Sequence, residues 1–297
     1  MRNHSLVRIS FLLVLILSLP VIALADLSHK QARKAISKAA GFSFSSGAVR
    51  IERIVSTDAS TAEVSSELEL VFRVARDERD QWRLVEIRMG EARWESIEAF
   101  AQAVKVDVRQ DECGASDINS RPKPQSALTE KLARCLIASL FAINLPSDAV
   151  RIKEVSGLNL GPHPSALAVS LVKADFRLTK EAGGWSVVGF RSGNRDWITL
   201  DSIPGTLDSL RRDRTTEQLK TIAAALEAYK KDRGGFVISD KHSVLIDHLS
   251  PHYLSRVLRT DSWQRPLKYQ GDRDHYTLRS MGPDGKENTP DDIVISN

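Results

Sequence analysis

KQARKAISKAAGFSFSSGAVRIE, residues 30–52, and KLARCLIASLFAINLPSDAVRIK, residues 131–153, align without a gap at an offset of 101. Lys30, Ala32, Arg33 and Ile36 recur as Lys131, Ala133, Arg134 and Ile137, and AVRI at 48–51 recurs at 149–152. Past a small insertion the offset becomes 103: Trp82 answers Trp185, Arg88 and Gly90 answer Arg191 and Gly193, and Trp94 answers Trp197. Four of the five tryptophans thus occupy matched positions, which points to a tandem duplication. Its joint falls between residues 105 and 127, where VRQDECGASDINSRPKPQS has the composition of a linker.

Each copy opens with a helical pattern, clearest in Leu132, Ala133, Leu136, Ile137 and Leu140 at spacings of three and four. Strands follow. Leu68, Leu70, Phe72 and Val74 alternate with Glu69, Val71 and Arg73, the period of a strand with one dry face and one wet face. DERD at 77–80 turns the chain into a second strand, Gln81–Met89, and EAGG at 181–184 does the same in the other copy. The expected class is α+β: a helix packed on a curved antiparallel sheet in each repeat, loosely similar to cystatin or NTF2-like folds, a likeness that carries no chemistry. Tryptophans beside apolar strand and helix positions read as core. The copies share no histidine, cysteine or carboxylate pair at matched positions, so the repeats read as binding or spacer modules.

The chain has 297 residues, 42% of them hydrophobic, which suits two or three globular units. At its start Arg2 and Arg8 precede an apolar run from Ile9 that ends Ala23-Leu24-Ala25, the pattern of a secretory signal cleaved before Asp26. The alternative is a retained anchor helix, which Pro20 disfavours. Removing residues 1–25 takes two arginines and no acids, leaving the formal charge at +2 rather than +4. The remaining basic residues are scattered, so no nucleic-acid partner is expected. In an oxidising compartment Cys113 and Cys135 either form a disulfide or remain a linker thiol and a buried thiol. His248 and His252 have ligand spacing, but Pro251 between them prevents one continuous helix. His29, His163, His242 and His275 are isolated and read as surface groups. No H-E-x-x-H, G-x-S-x-G or P-loop spacing occurs.

The last third differs. A polar run, RRDRTTEQ at 211–218, is expected to separate the repeats from a new helix that starts at the capping-box pair Thr215 and Gln218. Leu219, Ile222, Ala223, Leu226 and Tyr229 form its apolar face as far as Gly234 and Gly235. A short helical patch follows at VLIDHL, and DHYTLRS at 274–280 alternates like a strand. Then comes SMGPDGKENTPDDI, Ser280–Ile293, where Asp284, Glu287, Asp291 and Asp292 face only one cation of the loop, Lys286. Their repulsion calls for added positive charge.

In this order the features resemble the soluble domain of the major pseudopilin of type II secretion systems, protein G. The resemblance rests on LSPHYL at 249–254, on Asp261, Trp263, Pro266 and Tyr269, on YTLRS with Gly282, and on GPDG with DDI at 291–293. It covers residues 213–297. It implies a calcium ion held by the carboxylates of Asp284, Asp291 and Asp292 and the backbone carbonyl of Met281. Oxygen donors in an irregular loop suit calcium, and zinc's nitrogen or sulfur ligands are missing. Asn288 stands where the family has glycine, and asparagine tolerates a left-handed backbone. Gln264 and Arg265 replace the family's Gly-x pair after Trp263, and no apolar filament-forming segment directly precedes the pilin-like helix.

The expected organisation is a signal peptide (1–25), a first α+β repeat (26–104), a linker (105–127), a second repeat (128–204) and a pseudopilin-like calcium-binding domain with a long helix and a small antiparallel sheet (205–297). The expected role is that of an exported, periplasmic or secreted, non-enzymatic protein, with protein partners among secretion or pilus components. Membrane contact is expected only if the N-terminal segment is retained as an anchor. A lesser alternative is an enzyme using a pocket in the repeats.

Overall fold

The computed structural model describes residues 27–91, 93–114, 127–141, 148–158, 164–193 and 195–297. Residues 1–25, read above as an export signal, most of the expected 105–127 joint and His163 lie outside them. The fold is mixed α/β. Helix α1 (His29–Ile36) leads into β1 (Val49–Ser56), β2 (Thr61–Arg76), β3 (Trp82–Arg88), β4 (Trp94–Ser96) and α2 (Ile97–Ala103). Helix α3 (Glu130–Leu140) leads into β5 (Val150–Leu158), β6 (Ser165–Glu181), β7 (Gly184–Arg191) and β8 (Ile198–Thr199). α4 (Ser202–Arg233), α5 (His242–Leu249), β9 (Lys268–Gly271), β10 (Tyr276–Ser280) and β11 (Ile293–Ser296) complete the chain.

Alternation places the strands. In β2 the even positions Ala62, Val64, Leu68, Leu70, Phe72 and Val74 are buried, and in β6 so are Ala166, Ala168, Val172, Ala174, Phe176 and Leu178. These two long strands pair antiparallel from Thr61↔Thr179 to Ala75↔Ser165, so even positions oppose even positions. Large side chains meet small ones across the seam: Phe72 faces Ala168, Val74 faces Ala166 and Leu178 faces Ala62, which lets the layer fill without overpacking. β1 and β3 pair with opposite halves of β2, as β5 and β7 do with β6. The result is one eight-stranded sheet, with the path β4-β3-β2-β6-β7-β8 and β1 and β5 attached to the two central strands. Residues 26–104 and 128–204 therefore build one sheet and one core. A single buried cluster runs from Leu27 through Phe72, Leu136 and Leu178 to Leu207.

The odd face of the sheet carries charge across the seam. Glu63 meets Arg177 at 3.0 Å, Glu67 meets Arg151 at 2.5 Å and Glu69 meets Lys153 at 2.8 Å. Arg73 lies over Trp94, and both Arg177 and Arg191 lie over Trp197. Trp94 and Trp197 are thus stacked under guanidiniums rather than buried in the core as expected, whereas Trp82 and Trp185 do pack against it. Cys113 and Cys135 are bonded, which ties the turn Gln110–Gly114 to α3 and resolves the thiol alternative.

α4 corrects the expected break. It runs unbroken for 32 residues from Ser202, with Pro204 in its first turn, where a missing N–H costs nothing. Thr215 is not an N-cap but a fully buried mid-helix residue whose hydroxyl accepts from the Ser262 N–H at 3.1 Å. Ile203 and Leu207 enter the first core, and Leu219, Ile222 and Leu226 enter a second. The polar stretch between them is the section that crosses from one core to the other. Gly234 ends the helix with φ 79°, the left-handed backbone glycine adopts without strain. The second core gathers α4, α5 and an antiparallel sheet of order β11-β10-β9 around Leu245, Leu249, Tyr269 and Leu278. No described helix is long and apolar enough to cross a membrane.

Candidate metal site

The acidic loop joins β10 to β11, and its entry is set by a residue outside it. Asp261, buried at 3% exposure, accepts from the N–H groups of Trp263 and Arg265 through Oδ1, both at 2.9 Å. Its Oδ2 accepts from the Ser280 hydroxyl at 2.6 Å, and Ser280 in turn accepts from the Gly282 N–H at 3.2 Å. The DSWQRP turn and the loop are thereby clamped together. Gly282 has φ 57°, and a Cβ there would lie 2.3 Å from the Asp291 carbonyl oxygen, so only glycine fits. Asn288 has φ 63°, as its side chain permits, and its Oδ1 accepts from Arg279 at 2.7 Å.

The expected donors surround this turn. Met281 gives its carbonyl to the Gly285 N–H at 3.1 Å, which leaves a second lone pair. Asp284 Oδ1 accepts from the Lys286 N–H at 2.7 Å, and Asp291 Oδ2 accepts from the Asp284 N–H at 3.0 Å. The Thr289 hydroxyl lies 2.6 Å from Asp291 Oδ1 and 3.4 Å from Asp284 Oδ1, so two of the carboxylates approach one group. That hydroxyl, followed by the Asp284 N–H, holds the Asp291 carboxyl below the usual aspartate range. Asp292 Oδ2 accepts from Arg279 at 2.8 Å and the Asn288 N–H at 2.9 Å, while its Oδ1 is buried without a partner.

Positive charge reaches the loop from outside, which the sequence did not reveal. Arg279 pairs with Asp292, Lys268 with Glu287, and Arg212 of α4 donates to the Asp291 carbonyl at 3.2 Å. Arg265 donates to the carbonyls of Gly282 and Pro283, the latter at 2.7 Å. Strand alternation could have pointed to Arg279; Arg212 lies 79 residues from Asp291 and no local pattern points to it. The donors fit calcium in kind: all are oxygens, and one buried carboxylate oxygen has no partner. They are spent on neighbours rather than gathered round a point, and among the described residues no three His, Cys, Asp or Glu side chains are grouped to hold a metal.

Among the described residues the histidines form no metal cluster. α5 ends at Leu249, so His248 and His252 do not share a helix; His248 meets Tyr229 edge-on and His252 meets Tyr253. His242 departs from the surface reading. Burial, with Arg259 nearby, pushes it down to about 4, and its Nε2 is buried without a partner.

Comparison with curated proteins and with solved structures found no match. The C-terminal part of the chain, residues 203–297, which begins one residue inside α4 and carries the whole second core and the acidic loop, matches the family model of the type II secretion system (T2SS), protein G.

Proposed function

We propose that this is an exported, non-enzymatic accessory of a type II secretion or pilus-like machine, located outside the cytoplasm. The carrying observation is the match over residues 203–297, whose span coincides with α4 and the second core. Its partners are other secretion or pilus components. Residues 26–104 and 128–204 are the two copies of a tandem duplication that supplies a broad binding platform. Supporting the duplication, β1–β4 and β5–β8 follow the same order, and irregularities in pairing recur at Ile51/Arg53 and Ile152/Glu154 and at Arg73/Val74 and Arg177/Leu178.

Calcium stiffens the head in this reading, held by Asp284, Asp291, Asp292 and the Met281 carbonyl. The unpartnered Asp292 Oδ1 supports it, as does the oxygen-only donor set. Bound calcium supplies positive charge that pins the β10–β11 connection. Because a ligand of the folded state stabilises it by mass action, millimolar calcium raises the melting temperature of the EGTA-treated full chain, and Asp291→Ala abolishes the rise. An unchanged melting temperature, or an equal rise in the variant, removes calcium from the proposal. Crosslinking to the host's secretion pilus tests the partner independently. Mass spectrometry of the mature chain tests export: Asp26 as first residue rules out a retained anchor.

A further inference from the structure

Between the eight-stranded sheet and the head lies a cleft of about 300 Å³, within the range of small-ligand sites. Arg93, Arg211 and Arg265 line it against a single carboxylate, Asp208. The Arg211 charge is answered by Glu95 and Asp208. Among the described residues the other two guanidiniums have no carboxylate within ion-pair distance. Arg93 donates to the carbonyls of Gly41 and Met89, and Arg265 to those of Gly282 and Pro283. Each thus spends two of its five N–H groups and keeps the rest, on a planar fork that matches a carboxylate. Partial desolvation, with Arg211 adding repulsion and Glu95 and Asp208 pulling the other way, holds the Arg93 guanidinium below its ordinary range.

The walls are apolar and aromatic. Trp94 and Trp263 line the same cleft, with Leu207 and Pro204 of α4 beside them. We propose that this cleft binds a carboxylate carried next to an apolar group, as at the C-terminal residue of a polypeptide, with Arg93 and Arg265 taking the carboxylate and the two indoles the side chain. Arg265 also braces the acidic loop through Gly282 and Pro283, whereas Arg93, just before β4, makes no contact with that loop, so Arg93 is the residue whose substitution tests this proposal apart from the calcium reading.

The test titrates the full chain with an N-acetylated tetrapeptide ending in leucine, followed by tryptophan fluorescence. The free acid is expected to bind saturably and its C-terminal amide at least about tenfold more weakly, as befits loss of a charge-assisted pair. Arg93 is only partly covered and its contacts are two backbone carbonyls, so Arg93→Gln should fold; it is expected to abolish the preference for the acid, and Arg93→Lys, which keeps the charge without the fork, to recover part of it. Equal binding of acid and amide, or an unchanged preference in Arg93→Gln, overturns the proposal. Isobutyrate binding as tightly as the peptide overturns the assignment to a chain end.

Discussion

His242 shows how one side chain can report on the head. Its folded-state value near 4 lies below the 6.5 of an exposed histidine. Between these values the unfolded chain binds a proton that the folded chain refuses, so its contribution is intact above pH 6.5 and lost as pH falls toward 4. The loss approaches something on the order of 3 kcal/mol at the acid end. Urea titrations across that range should therefore show a slope that His242→Gln flattens; equal slopes would remove His242 from the acid response. The four acidic-loop positions were legible as a group because Met281, Asp284, Asp291 and Asp292 lie within one short stretch. The arginines around them were not, because Arg212 and Arg265 arrive from other elements. His242 looked like a surface group for a related reason: its burial comes from the packing of α5, which no local pattern records.

At the level of elements, the contact between β4 and α4 is made by a nearly buried ion pair. Arg211 donates through Nε to Glu95 at 2.8 Å and through Nη1 to Asp208 at 2.9 Å, and Asp208 accepts from the Trp263 indole at 3.2 Å. Glu95 is 3% exposed, so Glu95→Gln leaves a buried guanidinium with only one anionic partner. The expected cost is about 2–3 kcal/mol, below that of a fully orphaned charge because Asp208 remains. Chemical denaturation checks this, and Trp263 fluorescence should shift at the same time. A loss under about 0.5 kcal/mol would show that the pair is effectively solvated. Elements that depend on local order were readable: the alternation of residues 68–74 and 274–280, the turns at 77–80 and 181–184, and the α3 pattern. The β2–β6 seam was not, since pairing between strands a hundred residues apart leaves no mark in either strand. The stretch 211–218 misled because it combines Arg211, one half of a buried ion pair, with exposed residues between the two cores, which together have the polarity of a linker.

On the scale of the whole molecule, two cores share one helix. Leu207 and Leu219 lie in different clusters but on the same unbroken α4. Unfolding of either core must therefore fray the support of the other, and the wild-type chain should melt in one calorimetric transition. Asp213→Pro, at an exposed position between the cores, removes a helical hydrogen bond and costs about 3 kcal/mol. Its melt should split into two transitions, and a single sharp transition in the variant would mean that contacts other than α4 bind the halves together. The matched tryptophans suggested two similar halves, yet the union of residues 26–104 and 128–204 in one sheet could not be read, for it depends on how the two segments meet.

α4 has a further consequence, mechanical rather than thermodynamic. Its 32 residues span roughly 48 Å at about 1.5 Å per residue, with one end seated against the sheet and the other in the head. A tilt of about 5° at the sheet would sweep the far end through roughly 4 Å over that length. The helix is a strut braced near its sheet end, where Arg212 holds the Asp291 carbonyl and Gln264 reaches Trp94, so such a tilt would be felt first at the acidic loop.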